Sequence, residues 1–378
     1  MTAETDFEVA ICGAGPVGLA LATMLVKRGM APAGIALIDA KTLEQSRSDP
    51  RSIAISYGSR QILEDLGAWP FAATEIHQIH VSRRGQFGRT LIDRKEHGIP
   101  ALGYVARYGA IVAALTAACE KTGVVVMRPA QASATTERDA AVELQMADGR
   151  SITTRILVQA EGGLFAEQSK KSLHRDYRQS AILAHVKASA PISHRAYERF
   201  TDEGPLALLP QDDGYSLVWC ASPATSERLL GLDDAAFLSE LQQTFGTRLG
   251  RFTQSTPRRA YSLGLNVQPA TSARTVAIGN AAQTLHPVAG QDLNLGLRDA
   301  SVLARLLAKE VSPSMVAEFE KLRWTDRDLI VNMTDTMARI FSGVPGVSQT
   351  LLGISLAVID TVGLAKHALA ELMMFGRR

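Results

Sequence analysis

The start of the chain carries a β-α-β pattern with a glycine-rich turn. Residues 7–12 form an apolar run that stops at Gly13, which predicts a buried parallel strand. The apolar spacing of residues 16–29 predicts a helix, and residues 35–39 predict a second parallel strand that ends at Asp39. Because the helix must cross over to reach the second strand, this order predicts an α/β fold with a parallel sheet.

Gly13, Gly15 and Gly18 fit the pattern GxGxxG at the turn between the first strand and the helix. The first glycine permits a tight turn, the second lets the backbone approach a pyrophosphate, and the third lets helix and strand pack closely. The pyrophosphate would lie at the positive end of the helix. Asp39 is placed to accept a hydrogen bond from an adenosine ribose hydroxyl, which favours FAD or NAD over NADP and leaves those two open.

Composition argues against several classes of function. Lys and Arg total 40 against 38 Asp and Glu, and the resulting net charge of +2 argues against a nucleic-acid partner. Cys12, Cys119 and Cys220 lack CxxC or Cys/His clustering, so we expect neither a disulfide framework nor a metal site. The acidic start of the chain and the lack of 18 uninterrupted apolar residues predict a cytoplasmic protein without a spanning helix.

Further elements follow from periodicity. Two helices and then three strands are predicted at residues 59–68, 108–122, 123–127, 141–146 and 152–160. Alternating runs separated by turns predict an antiparallel sheet between about residues 176 and 268. A buried strand pattern returns at residues 275–278, so we expect a nucleotide-binding domain that is split by a β-rich insertion.

The segment after this last strand has its own chemistry. Asn280 follows the carboxyl end of the predicted strand, where open α/β sheets bind ligands, and can bond a ribityl or ribose hydroxyl or a water that bridges to a phosphate. Pro287 and Gly290 predict a rigid turn whose backbone can approach a flat ring. Residues 293–307 predict a helix, and its N-terminal amide groups would stabilise negative charge on the carbonyl edge of a reduced isoalloxazine.

Residues 279–300 resemble the second FAD motif of the aromatic-ring flavoprotein hydroxylases, written G-D-A-A-H-x-x-x-P-x-x-G-Q-G-x-N-x-G. The residues from Gly279 to Pro287 are closer to one branch, the bacterial ubiquinone-biosynthesis hydroxylases of the UbiH type. Residues 49–56 and 198–210 resemble the same branch. The resemblance spans residues 6 to about 335.

The resemblance implies a para-hydroxybenzoate-hydroxylase type of fold. Its parts are an FAD-binding Rossmann-like domain, an inserted antiparallel β-sheet substrate domain and a C-terminal helical tail. The expected boundaries are 1–75, 100–175 and 269–340 for the split FAD-binding domain, 76–99 and 176–268 for the substrate domain, and 341–378 for the tail.

The implied activity is that of an FAD-dependent monooxygenase. NADH or NADPH reduces FAD, O2 gives a flavin C4a-hydroperoxide, and the ring of a polyprenylated phenol in ubiquinone biosynthesis takes the oxygen. The residues expected to bind FAD are Gly13, Gly15, Gly18, Asp39, Arg51, Arg107, Glu161, Gly279, Asn280, Pro287, Gly290, Gln291, Asp292, Leu293 and Asn294. Arg51 is alternatively a member of a surface ion pair, and Arg107, expected on the following helix, is the weaker of the two arginine candidates.

Three positions depart from the family pattern. Glu161 stands for the aspartate of D-G-x-x-S-x-x-R, whose serine and arginine are missing here, so reduction by NADH or NADPH is expected to be altered. Asn280 stands for the usual aspartate, as is typical of the ubiquinone branch. Asp292 replaces a glycine, and we interpret it as a helix cap rather than a carboxylate directed at the reduced flavin.

His286 and Pro287 are the catalytic candidates beside the predicted flavin ring. His286 could act as a base or position the substrate, and a histidine bonded to the backbone of a rigid turn is an equal alternative. His174 and Tyr177 are weaker candidates, and His77 and His80 are expected to be structural or on the surface. Apolar residues at alternating positions of the inserted sheet fit a pocket wall and core packing equally well, namely Leu206, Leu208, Leu209, Val218 and Trp219.

Residues 344–375 are unusually apolar and are interrupted by charged residues. They are expected to form a helix on the membrane surface, a contact with a second copy or another quinone-biosynthesis enzyme, or an ordinary core helix. The expected location is the cytoplasm, and the inner face of the membrane is left open as a more specific alternative. Two alternative functions stay open, a hydroxylase of a soluble aromatic compound and an accessory flavoprotein without catalysis.

Overall fold

The computed structural model describes residues 5–85, 89–161, 174–267, 272–284, 290–342, 371 and 374–376. Its helices are α1 Pro16–Lys27, α2 Leu43–Arg47, α3 Tyr57–Asp65, α4 Tyr108–Glu120, α5 Pro223–Gly231, α6 Asp234–Phe245, α7 Asp292–Leu307 and α8 Pro313–Ser342.

The strands of the first half are β1 Phe7–Cys12, β2 Ile35–Ile38, β3 Ser52–Ser56, β4 Ala73–Ile76, β5 Gln78–Arg83, β6 Arg89–Asp93, β7 Gly103–Arg107, β8 Val125–Met127, β9 Ala132–Glu137, β10 Val142–Met146 and β11 Ser151–Gln159. Those of the second half are β12 His174–Ala188, β13 Arg195–Phe200, β14 Pro205–Gln211, β15 Gly214–Ala221, β16 Phe252–Ser255, β17 Arg259–Val267, β18 Thr275–Ala277 and β19 Gln283–Thr284.

The first sheet has the strand order β8-β2-β1-β11-β10-β9, and β18 pairs with the second half of β11. Strands β8, β2, β1, β11 and β18 run parallel, so their carboxyl ends meet at one edge. Both faces of the sheet are covered, because Val9 and Ile11 pack in one apolar cluster and Ala10 and Cys12 in another. Full burial on two faces explains the continuous apolar run that predicts β1.

A small antiparallel sheet, β3-β7-β4, connects this layer to the rest of the chain. The third sheet is mainly antiparallel, in the order β19-β17-β12-β15-β14-β13-β5-β6, with β16 paired to β12. One face of the third sheet packs on α6, where the ring of Tyr197 lies 5.4 Å from that of Phe245.

The α/β fold class and the predicted strands and helices of the sequence are confirmed, within a few residues at each boundary. The expectation for residues 176–268 was incomplete, because α5 and α6 lie within that β-rich stretch. Their apolar residues, among them Leu229 and Phe237, are buried in one cluster with residues of the third sheet. The domain boundaries stay a prediction.

Most of the apolar tail at 344–375 lies outside the described residues. Among the helices that are described, none combines the length and hydropathy needed to cross a bilayer.

Candidate functional site

The glycine-rich turn lies at the shared carboxyl edge of the parallel strands. Gly13 has φ of +109°, and a Cβ atom there would come within 2.5 Å of the carbonyl oxygen of Ala160. A Cβ on Gly18 would overlap the carbonyl oxygen of Gly13, so helix α1 can approach the turn only without a side chain. Gly15 faces the Tyr108 hydroxyl, 3.2 Å from the position of a Cβ. These contacts give Gly13 and Gly18 the steric reasons that the motif implies, and the role of Gly15 beside a pyrophosphate stays a prediction.

The N-terminus of α1 fits an anion. Gly15 is the N-cap residue and Pro16 begins the helix, and no side chain in the described part of the chain caps it. The amide groups of Val17 and Gly18 in the first turn therefore lack side-chain partners, and the helix dipole favours negative charge there. A pyrophosphate such as that of FAD fits this cradle, since any side chain on the turn would block the approach.

Asp39 lies directly after β2, beside the same turn. Its Oδ2 accepts a hydrogen bond of 2.6 Å from the amide of Ala14, and its Oδ1 accepts one of 2.7 Å from the amide of Lys41. The carboxylate thus stands at the edge of the cradle, where a ribose would follow a pyrophosphate. Its hydrogen bond to a ribose hydroxyl stays a prediction.

Arg51 forms an ion pair with Asp49, which is the alternative to a flavin contact that the sequence left open. Its Nη2 lies 2.7 Å from Asp49 Oδ2, and its guanidinium stands 5.1 Å over the ring centre of Tyr108. Burial lowers the pKa of Arg51, but the hydrogen bonds and charge of Asp49 outweigh this and raise it overall. Tyr108 also lies beside Gly15, so the Tyr108 side chain separates Arg51 from the glycine turn. Contact with flavin or its phosphates stays a prediction.

Arg107 is not on the helix where it was expected. It is the last residue of β7 and the N-cap residue of α4. Its Nη2 lies 2.6 Å from Asp212 Oδ2, and both side chains are more than half exposed. A helix assignment from periodicity errs at such boundaries because a cap residue belongs to neither pattern.

The downstream motif meets the glycine turn through Val17. A Cβ on Gly296 of α7 would lie 2.7 Å from Val17 Cγ2, and one on Gly279 would lie 3.2 Å from it. Gly279 itself has φ of +59°, which suits the short turn Gly279–Ala281 after β18. Two motifs about 260 residues apart in sequence are therefore in van der Waals contact.

Asn294 holds the start of α7 against β3. Its amide nitrogen donates to the carbonyl oxygens of Gly290 at 2.8 Å and Ala54 at 3.1 Å. Its carbonyl oxygen accepts from the amide of Ser56 at 2.8 Å. The side chain is buried and makes all three bonds to backbone, so it positions the loop before α7. A direct contact with FAD stays a prediction.

The interpretation of Asp292 as a helix cap is wrong. Helix α7 begins at Asp292, and its N-cap residue is the buried Gln291, which makes no side-chain capping bond. A carboxylate in the first turn is still favoured by the helix dipole. Leu293 follows, half-buried, and packs on the core beneath the first sheet.

Glu161 and Asn280 also lie near the cradle. Burial, followed by the charges of Glu161 and Asp39, raises the pKa of the Cys12 thiol to about 12. Both acids are therefore close to the carboxyl end of β1. Asn280 is half-buried in the turn after β18, and its side chain makes no hydrogen bond among the described residues.

Other predicted site residues divide into two groups. His286 and Pro287 lie outside the described residues, and so does the side chain of His174. Tyr177 is half-buried in β12. His80 is buried, and burial followed by the charge of Arg248 lowers its pKa to about 4, as suits a structural residue.

The apolar residues of the third sheet face two ways. Leu206, Leu208 and Trp219 are buried in the core beneath α5 and α6, which favours core packing for these three. Val218 and Leu209 lie on the opposite face and are half-buried.

One group of potential metal ligands occurs within the described ranges, Glu75, His77 and His194, with ligand atoms within 4.8 Å of one another. His77 Nε2 already lies 2.7 Å from Glu75 Oε2. The two imidazole rings stack, with centres 4.2 Å apart and an angle of 18°. This arrangement fits a hydrogen bond between His77 and Glu75 with ring stacking better than a chelate.

Sequence reasoning missed two residues of the site. Gly296 is the last glycine of the downstream motif, so the motif itself carried a signal for it. Tyr108 lies between Arg51 and Gly15, with its ring under the Arg51 guanidinium and its hydroxyl beside Gly15. No sequence pattern predicts these two contacts.

Comparison with known proteins agrees with this geometry. Residues 6–317 match the family described as FAD binding domain. The chain is 31% identical to the ubiquinone hydroxylase UbiL of Rhodospirillum rubrum, over 90% of this chain and 83% of the relative. It is 32% identical to the 3-demethoxyubiquinol 3-hydroxylase of Escherichia coli, over 79% of each. The crystal structure of p-nitrophenol 4-monooxygenase PnpA from Pseudomonas putida superposes with a TM-score of 0.77 at 15% identity, covering 99% of this chain and 100% of that chain.

The match covers most of the chain, and the steric cradle fits the pyrophosphate of a dinucleotide. FAD is accordingly the cofactor. The chain belongs to the FAD-binding-domain family of aromatic hydroxylases, in the class of FAD-dependent monooxygenases that includes the ubiquinone-biosynthesis hydroxylases.

Proposed function

We propose that this protein hydroxylates the aromatic ring of a polyprenylated phenol in ubiquinone biosynthesis, with NADH or NADPH and O2 as co-substrates. The observation that carries the proposal is the contact of Val17 with Gly279 and Gly296, which puts the start of α7 beside the glycine turn. The ubiquinone hydroxylases among its relatives support the substrate class.

Bound FAD would accept reducing equivalents from NADH or NADPH and activate O2 for transfer to the ring. The residues of this chain would do the rest. Amide groups at the start of α1 would bind the pyrophosphate, and Asp39 would orient the ribose. The amide groups at the start of α7 would favour negative charge on a ring bound there, because the helix dipole adds to their hydrogen bonds. Asn294 would hold that helix end in place.

We extend the proposal to location and partners. An apolar substrate and the apolar residues 344–375 together favour work at the inner face of the membrane, with the tail contacting lipid, a second copy or another quinone-biosynthesis enzyme. Flotation of the full chain with vesicles of phosphatidylglycerol and phosphatidylethanolamine tests the lipid contact. Removal of residues 344–378 would abolish flotation if the tail is the contact, and sedimentation of both forms would report a second copy.

The activity is tested with purified protein carrying FAD. We expect anaerobic NADH or NADPH to bleach the flavin, and aerobic incubation with a 2-prenylphenol to give a product with one added oxygen. Quinone profiles of a deletion strain would then identify the under-hydroxylated precursor. Turnover of 4-hydroxybenzoate but not of the prenylphenol would favour the soluble-substrate alternative. A protein that cannot be reconstituted with FAD would contradict the proposal and favour an accessory role.

A further inference from the structure

Glu198 lies in the middle of β13, on the face of the third sheet that is turned towards the FAD-binding half. Ala196, two residues earlier and on the same face, packs with Ile76 and Val105 of the small sheet. Tyr197, between them, points the other way and contacts the ring of Phe245 on α6. Strand alternation therefore directs Glu198 away from the helix-covered core.

Small and apolar residues surround Glu198 on that face. Strand register places Ala207, Val218 and Leu183 in one row with it, and all three are half-buried. Gln211 lies further along the same face of β14, and its Oε1 accepts a hydrogen bond of 2.7 Å from the hydroxyl of Ser52. Ser52 follows Arg51 in the chain, so the hydrogen bond between Ser52 and Gln211 brings this face of the third sheet close to Arg51.

Oε1 of Glu198 has no hydrogen-bond partner among the described residues, and the residue as a whole is half-buried. That oxygen is itself buried, and burying an unsatisfied carboxylate oxygen is costly. Burial raises the pKa of Glu198 to about 7, and burial is the sole cause of the shift. A carboxyl group that titrates near neutral pH in an apolar setting suits a proton acceptor.

The ionisable groups that face Glu198 leave its charge uncompensated. On β15 the neighbour is the thiol of Cys220, whose pKa is raised by burial and then by Glu198. On β5 the nearest cation on this face is Arg83, which lies 3.8 Å from Asp202. On β17 the row ends at Arg259, with Tyr261 two residues beyond. None of these forms an ion pair with Glu198 among the described residues.

We propose that Glu198 is a catalytic residue that accepts the hydroxyl proton of the phenolic substrate, an inference that rests on the proposed function. The phenol O–H bond breaks, the proton goes to a carboxylate oxygen of Glu198, and the electron pair stays on the phenol oxygen. The resulting phenolate is the better nucleophile at the ring carbons. In the proposed reaction one ring carbon forms a C–O bond to one oxygen atom of O2 and loses its hydrogen as a proton, while NADH or NADPH supplies two electrons and the other oxygen atom leaves as water. After transfer, the proton returns to the product oxygen. The ligand class is a neutral phenol with an apolar substituent, which fits the row of apolar neighbours.

The test uses the FAD-loaded Glu198→Gln variant, since glutamine keeps the size and removes the acid. In the unsubstituted protein, turnover of the prenylphenol should rise with pH through about 7. In the variant, kcat should fall about 100-fold and this inflection should vanish, because one general base contributes on the order of 100- to 10,000-fold. Anaerobic flavin reduction by NADH or NADPH should be unchanged, and Glu198→Asp should restore part of kcat.

Glu240→Gln is the matched control, because Glu240 lies on α6 at the other face of the sheet and pairs with the exposed Arg228. It should leave both kcat and the pH profile unchanged. An unaltered pH profile in Glu198→Gln would overturn the assignment while leaving the proposed function intact.

Absence of hydroxylated product from the unsubstituted protein would instead count against the proposed function. The binding of 2-prenylphenol to the FAD-loaded protein then decides the role of Glu198. A phenolate absorption band at pH 8 in the unsubstituted protein, lost in Glu198→Gln, supports the assignment. The same spectrum in both proteins overturns it.

Discussion

Val17 on the first helix and Gly296 on α7 are in contact: a Cβ added at Gly296 would lie 2.7 Å from Val17 Cγ2 and 3.1 Å from the Cα of Gly279. The contact joins the glycine turn, the turn after β18 and the helix that starts beside the expected flavin ring. These three chain segments therefore come together at the expected cofactor site.

Gly296→Ala should weaken FAD binding and destabilise the fold. The added methyl group must displace Val17 or the Gly279 backbone, and overpacking of this kind typically costs about 1–3 kcal/mol. The FAD dissociation constant and thermal unfolding measure both effects. The double variant Val17→Ala with Gly296→Ala should recover part of the FAD affinity and part of the thermal stability, because it removes the Val17 methyl group that the new Cβ would contact. Gly231→Ala, where no atom lies within 4 Å of the new Cβ, is the control. Equal effects at both glycines would contradict the packing account.

Asn294→Leu should loosen the start of α7. The substitution leaves the amide of Ser56 and the carbonyls of Ala54 and Gly290 without their partner, and each unsatisfied buried group costs about 1–3 kcal/mol. We expect a lower melting temperature and faster hydrogen exchange in residues 290–296. Gln243→Leu, which removes only an exposed bond of 3.5 Å, should do neither. Unchanged exchange in α7 would mean that Asn294 does not hold this helix.

Asp299→Asn should be among the more destabilising changes on α7. The Asp299 carboxylate is fully buried and receives Arg323 at 2.6 Å and Arg327 at 3.0 Å, which ties α8 to α7. Breaking a buried ion pair leaves uncompensated charge and costs about 3–5 kcal/mol. Denaturant unfolding gives the value directly. The exposed pair of Arg228 and Glu240 provides the comparison, and its loss should leave the unfolding curve close to that of the unsubstituted protein.

Glu198 should make the fold less stable as pH rises. Its pKa is raised from the ordinary 4.5 to about 7, so between these values the folded chain holds a proton that the unfolded chain has lost. The free energy of unfolding therefore falls from pH 4.5 to 7 and stays reduced above. The free energy of unfolding of Glu198→Gln should exceed that of the unsubstituted protein by a margin that grows across this window and reaches on the order of 3 kcal/mol at pH 8. The difference between the two unfolding curves cancels other titrating groups such as His80. A constant difference from pH 4 to 8 would contradict the burial of this carboxyl group.

Local patterns predicted a large part of the architecture. The run at residues 7–12, the three glycines and Asp39 each depend on neighbours a few residues away, so periodicity and turn chemistry were sufficient to place them. The same reasoning failed for α5, whose helix is stabilised by burial of Leu229 on a sheet formed from distant strands. It also misplaced Arg107 and Asp292 by one position, because caps are decided by local backbone geometry that a residue type does not specify.

By itself the sequence determined the parallel β-α-β unit, the glycine turn and, by resemblance, the family and its flavin. Only the tertiary structure decided that Val17 leaves no room for a side chain at Gly296. It also decided that the Asn294 side chain hydrogen-bonds backbone groups and that Arg51 pairs with Asp49. It further decided that Oε1 of the half-buried Glu198 has no hydrogen-bond partner among the described residues. These properties depend on contacts between segments far apart in the chain, and burial, close approach and pKa are consequences of such contacts rather than of residue order.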